Sequence, residues 1–210
     1  MTSTAQSALQ WQAAEDTAKR ITKNWDKPGE PGGAITLFDS KTLRGFASGG
    51  LANLTTATPF SIDSVVRYAS VTKHIFATLA LLKSDAGLSV SDTLGQYLPQ
   101  LQAPMSQVTI GQALDMTAGL PDVRETLSLL GTSVYNVSDA DAIMAFLAQD
   151  GALNFPAGTE ISYSNTGYRL VEDILKQKGI LFEDLLQKHI AQPLDSALHA
   201  PEIWFDIVPD

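Results

Sequence analysis

Two short groups of residues have types and spacings suited to nucleophilic chemistry. Ser70 and Lys73 lie three positions apart, and Tyr163 and Asn165 follow about ninety residues later. A serine hydroxyl becomes a good nucleophile when an adjacent base takes its proton, and a lysine can act as that base where its surroundings lower its pKa. We therefore interpret Lys73 as the base for Ser70 and Tyr163 as a group that shares the proton. Asn165 would contact substrate or hold Lys73 in place.

The context of Ser70 supports this interpretation. Ser70 and Lys73 open a strongly apolar stretch that runs from His74 to Lys83 and predicts a helix. Residues three apart lie on one face of a helix, so the Lys73 amine would lie one turn above the Ser70 hydroxyl. The helix N-terminus would also place the Ser70 N–H and the positive end of the helix dipole beside a developing oxyanion.

A plainer interpretation needs no catalysis. Ser70 would be a helix N-cap, Lys73 a solvated residue of the first turn, and the segment from Tyr163 to Asn165 a turn. Ser70 and Lys73 alone favour this view. Both groups together, in this order and after the turn Phe155–Gly158, favour the catalytic interpretation.

The elements that must position these residues are mostly helical. Apolar residues at helical spacing predict an amphipathic helix from about Ala5 to Trp25, and the strands AITLFD and LRGFASG predict a hairpin around Ser40 and Lys41. A loop is expected from Ala118 to Val123. The further helical segments are Leu88–Gln100 with a Ser91 or Asp92 cap, a capped turn at Thr109–Thr117, Asp139–Ala148, Gly167–Gly179 and Leu181–Pro193.

Composition limits the function classes. The chain has 210 residues, 44% of them hydrophobic, which suits a domain with a core. A net charge of −9 argues against nucleic acid or an anionic membrane surface as partner. No cysteine occurs, and His74, His189 and His199 lack metal-ligand spacing, so we expect no metal and no cofactor. The N-terminal residues show no secretory signal, and we expect a cytoplasmic location.

Four stretches resemble the β-lactamase-related serine hydrolases, a group that contains class C β-lactamases, D-aminopeptidases and related esterases. The chain is most similar to the D-aminopeptidases and D-amino-acid amidases. The resemblance implies an α+β fold of the β-lactamase/transpeptidase type, with a helical subdomain against an antiparallel sheet. It also implies Ser70 as the acyl-accepting nucleophile, Lys73 and Tyr163 as the proton-handling pair, and Asn165 as a substrate-facing group. The four stretches are Arg67–Lys83, Gly87–Gln100, Thr109–Asp122 and Phe155–Lys176.

The chain also departs from the pattern of this family. Its third motif, Lys-Thr-Gly or His-x-Gly on a strand beside the site, is missing: Lys41-Thr-Leu lies in the first hairpin, and His199-Ala-Pro lacks the glycine. Smaller departures occur at Met116–Leu120 and after Pro193. We therefore expect residues 1–210 to form one catalytic domain that is incomplete at its C-terminal side, with residues 1–69 supplying the first helix and strands and residues 70–210 the helical part. A second polypeptide would supply the missing strands and the third motif.

The predicted function is a serine hydrolase that acts through an acyl-enzyme on small amides, peptides or esters, with a D-stereospecific aminopeptidase or amidase as the leading form. One alternative is a β-lactamase or DD-carboxypeptidase-like activity, and another is a catalytically silent binding or sensor protein on the same scaffold. Asp122 and Glu125, which follow the Gly119-Leu-Pro loop, are candidates to bind a substrate's free α-ammonium, although a solvated loop explains them as well.

Overall fold

The computed structural model describes residues 2–40, 42–82, 87–131, 145–149 and 151–194. Its contacts divide the chain into two compact units, residues 1–67 and 68–210. Ser70, Lys73, Tyr163 and Asn165 all belong to the second unit, so the candidate site lies within one compact part of the chain.

The first unit contains one long helix and two small antiparallel sheets. Helix α1 (Thr2–Lys23) packs on the hairpin of β1 (Gly33–Phe38) and β2 (Leu43–Gly49). The predicted helix and hairpin are thus confirmed. A second ribbon, β3 (Leu51–Asn53) with β4 (Thr58–Pro59), was not predicted, because these strands are only three and two residues long.

Close backbone approaches explain Gly49, at the end of β2, and Gly32, just before β1. A Cβ built on Gly49 would lie 2.1 Å from the carbonyl oxygen of Thr22 in α1. A Cβ on Gly32 would lie 1.8 Å from the carbonyl oxygen of Gly49. Only glycine allows the helix and the hairpin to approach this closely.

The second unit is mainly helical. A short 3₁₀ turn at Ala69–Val71 leads directly into α2, and the last helix continues as a π-helical turn at Gln187–Ala191. Residues 145–149 are also helical. The named helices are α2 (Thr72–Leu81), α3 (Leu94–Tyr97), α4 (Ile110–Leu114), α5 (Val123–Leu129), α6 (Asn165–Gln177) and α7 (Phe182–Leu186).

Helix α6 supplies much of the core of the second unit. It begins at the N-cap Ser164, whose Oγ accepts a hydrogen bond from the Thr166 N–H at 3.1 Å. Its apolar face is buried among residues of α2, α4 and α7, and the Phe76 ring of α2 lies 5.7 Å from the Tyr168 ring. This packing fixes α2 and α6 relative to each other. The fully buried side chains of α6 are Thr166, Leu170, Val171, Ile174 and Leu175.

Several local predictions for this unit can be compared with the structure. The cap at Thr109 is confirmed, because its side chain and that of Gln112 form a capping box. The prediction that Ser91 or Asp92 caps α3 is wrong. Thr93 occupies that position without a side-chain hydrogen bond, and Asp92 instead accepts hydrogen bonds from the Ser89 N–H at 2.8 Å and the Tyr97 hydroxyl at 2.6 Å.

Other predictions fall partly or wholly outside the described residues. Helix α2, which follows Ser70, ends at Leu81. Residues 83–86, which include part of the cap predicted at Asp85–Gly87, lie outside the described residues. The same holds for most of the helix predicted from residue 139 to 148, for Lys41, and for everything from residue 195 onward. Among the helices that are described, none is long and apolar enough to cross a membrane.

Candidate active site

The turn before α2 presents Ser70 at the surface. Ala69 has φ +46°, in the left-handed region that residues with a Cβ rarely adopt, and Ser70 follows it in the 3₁₀ turn. Ser70 is exposed, and Lys73 Nζ donates to its Oγ at 3.3 Å. The structure therefore brings these two residues together on one face, as the spacing of three predicts.

Tyr163 reaches the same place from a distant part of the sequence. Its Oη lies 2.7 Å from Ser70 Oγ and 2.6 Å from Lys73 Nζ, so the three polar atoms form a triangle. Partial burial raises the pKa of the Tyr163 phenol, but hydrogen bonds from Lys73 and Ser70 and the Lys73 charge outweigh it. The net result is a pKa below the usual value for tyrosine. The phenol is therefore suited to exchanging a proton with Ser70.

Asn165 is the first residue of α6, and its amide bridges two charged side chains. Oδ1 accepts hydrogen bonds from Lys73 Nζ at 2.7 Å and from Tyr163 Oη at 3.1 Å, while Nδ2 donates to Asp122 Oδ2 at 2.8 Å. An ammonium can only donate and a carboxylate can only accept, so these neighbours fix which way the amide points. The structure thus shows Asn165 holding Lys73; contact with substrate stays a prediction.

Asp122 lies behind Asn165 and is buried, with 6% of its surface exposed. It is the N-cap of α5: Oδ1 accepts from the N–H groups of Arg124 at 2.9 Å and Glu125 at 3.0 Å. Oδ2 accepts from both the backbone N–H and the side-chain amide of Asn165. Glu125 is exposed in the first turn of α5. Binding of a substrate ammonium by either carboxylate stays a prediction.

Sequence reasoning missed this cap, although a signal for it was present. An aspartate followed three residues later by a glutamate is a common pattern at helix N-termini, and Asp122 and Glu125 have that spacing. The hydrogen bonds to Asn165, 43 residues away, had no local signal of their own.

The loop from Met116 to Leu120 supports the segment that carries Tyr163. Backbone hydrogen bonds join Ser162 N to Met116 O at 3.0 Å, Gly158 N to Thr117 O at 2.8 Å, and Asn154 N to Gly119 O at 2.7 Å. Gly119 has φ +69°, and a Cβ built on it would lie 2.2 Å from the carbonyl oxygen of Phe155. The loop can approach this segment only because position 119 is glycine.

Two tyrosine rings flank the Lys73 ammonium. Its Nζ lies 4.8 Å from the centre of the Tyr163 ring and 5.6 Å from that of the Tyr168 ring, within the range of cation–π attraction. The Tyr168 hydroxyl donates to the Leu114 carbonyl at 2.9 Å, which fixes that ring. Burial raises the pKa of Tyr168, and the nearby Tyr163 and Asp115 raise it further.

This arrangement can do proton-transfer and acyl-transfer chemistry. It offers one hydroxyl nucleophile, Ser70, in hydrogen-bond contact with Tyr163 and Lys73, a pair that can take its proton when Tyr163 is a phenolate. Within the described ranges, no group of three or more histidine, aspartate or glutamate side chains is placed to hold a metal ion.

A family model described as Beta-lactamase matches residues 17–206 of the chain. Among curated proteins, a D-aminopeptidase from Cereibacter sphaeroides is 27% identical over 165 residues, which are 78% of this chain and 31% of that protein. A D-aminopeptidase from Gluconobacter oxydans is also 27% identical, with the same coverage. The chain thus spans about a third of the length of the curated relatives it matches.

Solved structures show the same fold. The D-amino acid amidase from Ochrobactrum anthropi SV3, in a complex with L-phenylalanine amide, has a TM-score of 0.68 and 23% identity; the match covers 87% of this chain and 51% of that one. A class C beta-lactamase has a TM-score of 0.67 and 21% identity, covering 90% of this chain and 50% of its own. These matches confirm the predicted α+β architecture, of which the chain has a part.

Proposed function

Since the chain belongs to the Beta-lactamase family, as the sequence resemblance predicted, we propose that it carries the catalytic centre of a serine hydrolase that works through an acyl-enzyme. One observation carries the proposal. Ser70 Oγ lies within hydrogen-bond distance of both Tyr163 Oη and Lys73 Nζ, and those two atoms also contact each other at 2.6 Å. A nucleophile next to a base that is itself held by a third group is the general requirement for this chemistry.

The atoms of this centre account for each proton. In the reactive form Tyr163 is a phenolate that the Lys73 ammonium stabilises. Ser70 Oγ attacks the substrate carbonyl carbon, and its proton passes to this phenolate oxygen. Collapse of the tetrahedral species breaks the bond to the leaving amine or alcohol, which takes a proton back from the pair. Water then attacks the Ser70 ester, gives a proton to the same pair, and releases the acid with the Ser70 hydroxyl restored.

The substrate class that we propose is a small amide, peptide or ester, with a D-stereospecific aminopeptidase or amidase as the leading form. Curated relatives named D-aminopeptidase support this form. A β-lactam is the second substrate to test, because class C beta-lactamases share the fold.

We further propose that additional strands, from a second polypeptide or from chain outside residues 1–210, complete the centre. Two observations support this. Both sheets of the described residues have only two strands, and two-stranded ribbons are marginal without further packing. The match covers only 31% of the curated relatives. Native mass spectrometry of the active material should show mass beyond 22.5 kDa, and a stable, fully active monomer of 22.5 kDa would refute this proposal.

Covalent labelling tests the main proposal. The protein in its native assembly is treated with a fluorophosphonate, and the adduct is located by peptide mass spectrometry. We expect modification of Ser70, no modification in Ser70→Ala, and wild-type labelling in the control Ser162→Ala, which removes an exposed hydroxyl next to Tyr163. Loss of the nucleophile should lower turnover of D-amino-acid amides by several orders of magnitude. Full activity in Ser70→Ala, or non-covalent binding without any adduct, would refute the proposal, the second result favouring a binding protein.

A further inference from the structure

Asp122 has one more acceptor oxygen than a helix cap requires. Its Oδ1 alone binds the two N–H groups at the start of α5, those of Arg124 and Glu125. Serine, threonine and asparagine cap helices about as well as aspartate, so the cap does not explain a buried carboxylate at this position. Among the residues that the structure describes, the second oxygen, Oδ2, binds only Asn165, through both the backbone N–H and the side-chain amide. This oxygen needs an explanation of its own.

The orientation of the Asn165 amide decides whether its oxygen or its nitrogen faces Lys73. Its Oδ1 faces Lys73 Nζ and Tyr163 Oη, and its Nδ2 faces Asp122. Rotation of the amide by half a turn would point its NH₂ group at the Lys73 ammonium and remove an acceptor from it. The Asp122 carboxylate opposes that rotation because it has no proton to donate to Oδ1.

We infer that Asp122 is a positioning residue of this centre. Through Oδ2 it fixes the Asn165 amide so that Oδ1 holds the Lys73 ammonium against the Tyr163 phenol. The inference rests on the proposed function, because the orientation of the Asn165 amide affects a reaction only if Ser70, Lys73 and Tyr163 take part in one. It differs from the sequence prediction that Asp122 contacts the substrate, because here Asp122 acts through Asn165.

The electrostatics of Tyr163 make the inference testable. The titratable groups that influence or face its phenol are Lys73 from α2, Asp122 at the start of α5 and Tyr168 from α6. The hydrogen bond from Lys73 lowers the pKa of Tyr163 more strongly than the Asp122 charge raises it. A change at Asp122 that weakens the hydrogen bond from Lys73 to Tyr163 should therefore raise the Tyr163 pKa. A change that only removes the Asp122 charge should lower it.

Asp122→Ser is the variant that separates the two roles of the residue. Serine keeps an acceptor for the cap of α5, so the helix start is retained, but it has no second oxygen for Asn165. Asp122→Asn is a second variant, in which the cap is kept and an NH₂ group faces the two Asn165 donors. We expect each to slow Ser70 acylation by about 10- to 100-fold, the scale of small displacements of reacting groups.

Thr166→Val is the matched control. Thr166 Oγ1 joins the same two segments, because it donates to the Pro121 carbonyl at 2.6 Å and accepts from the Val123 N–H at 2.9 Å. Its removal weakens the connection between the start of α5 and the start of α6 without touching the Asn165 amide. We expect a lower Tm with an acylation rate close to that of the wild type.

Two quantities are measured in the native assembly: the rate of fluorophosphonate labelling and the pKa of Tyr163. NMR of ring-labelled tyrosine monitors the titration, and the Tyr163→Phe variant identifies the Tyr163 signal. A slower rate together with a higher Tyr163 pKa in Asp122→Ser or Asp122→Asn, and neither change in Thr166→Val, is the expected result. A lower or unchanged Tyr163 pKa, or an equal loss of rate in Thr166→Val, overturns the inference. If the wild type is not labelled at all, the proposed function fails, while the titration still decides the role of Asp122.

Discussion

Lys73 Nζ lies closer to Tyr163 Oη, at 2.6 Å, than to Ser70 Oγ, at 3.3 Å. The ammonium is thus placed primarily to stabilise a phenolate, and the phenol oxygen, 2.7 Å from Ser70 Oγ, is the nearer acceptor for the serine proton. Tyr163 should consequently be the immediate acceptor of the serine proton, because hydrogen bonds from Lys73 and Ser70 hold the pKa of its phenol below the usual value for tyrosine.

Tyr163→Phe tests this relationship. The rate should rise with pH as Tyr163 loses its proton, and because the pKa of Tyr163 is held below its usual value, this rise should occur below the pH at which a free tyrosine ionises. The variant should lower kcat by about 10²- to 10⁴-fold and alter the acidic limb of the profile. Pre-steady-state kinetics with an ester substrate across pH measures both. Tyr163 is 51% exposed, so the Tm should change little. An unaltered profile would assign the tyrosine a structural role only.

Gly119→Ala should damage the support of the Tyr163 segment. The new Cβ would overlap the Phe155 carbonyl oxygen in addition to adopting an unfavourable φ. We expect a loss of more than about 2 kcal/mol in the free energy of unfolding and a lower acylation rate.

Gly179→Ala is the control for that change. Gly179 has φ +71°, nearly the same as Gly119, but nothing lies within 4 Å of its Cβ position. Its alanine variant should lose only about 1 to 2 kcal/mol and keep the wild-type acylation rate. Denaturant unfolding with labelling of the same samples compares them; equal losses at both positions would contradict a special role for the contact with Phe155.

Ala69→Val tests the turn that presents Ser70. A β-branched residue at φ +46° is strongly disfavoured, so the turn should change conformation and displace the nucleophile. Both Tm and labelling rate should fall, whereas Ala69→Gly, which suits the left-handed region, should retain both. Labelling at the wild-type rate in Ala69→Val would mean that this backbone conformation is not needed to position Ser70.

Glu125→Gln tests the predicted recognition of a free α-ammonium. Both oxygens of Asp122 already have partners in the protein, whereas Glu125 is exposed. If Glu125 contacts the substrate, its neutral variant should lose much of the preference for free-amine over N-acetylated amides, seen in kcat/KM. Glu160→Gln, another exposed position, serves as the control. An unchanged preference in Glu125→Gln would remove this residue from the site.

The sequence predicted best those features that depend on local spacing. A spacing of three positions from Ser70 to Lys73 is enough to place both on one face of a helix, and the capping box at Thr109 follows from a local pattern. Contact between Ser70 and Tyr163 was expected from the chemistry of the two groups and from the resemblance to a family, because no local rule joins positions 93 apart.

Features that depend on tertiary contacts were missed or assigned differently. Asp122 was a candidate to bind a substrate ammonium, with a solvated loop as the alternative, and only the structure shows its four hydrogen bonds to the starts of α5 and α6. Ser91 or Asp92 was expected to cap a helix, but the Asp92 carboxylate instead accepts hydrogen bonds from the Ser89 N–H and the Tyr97 hydroxyl. In both cases the carboxylate accepts hydrogen bonds that the local sequence pattern did not indicate.

The separation of Ser70 and Tyr163 along the sequence also has a kinetic consequence. Bringing them together closes a loop of about ninety residues, and such long-range closure is entropically costly and slow compared with formation of a single helix. During refolding, helical structure measured by circular dichroism should therefore recover before the capacity for labelling at Ser70. A covalent probe of this serine would report on completion of the native topology as well as on chemistry.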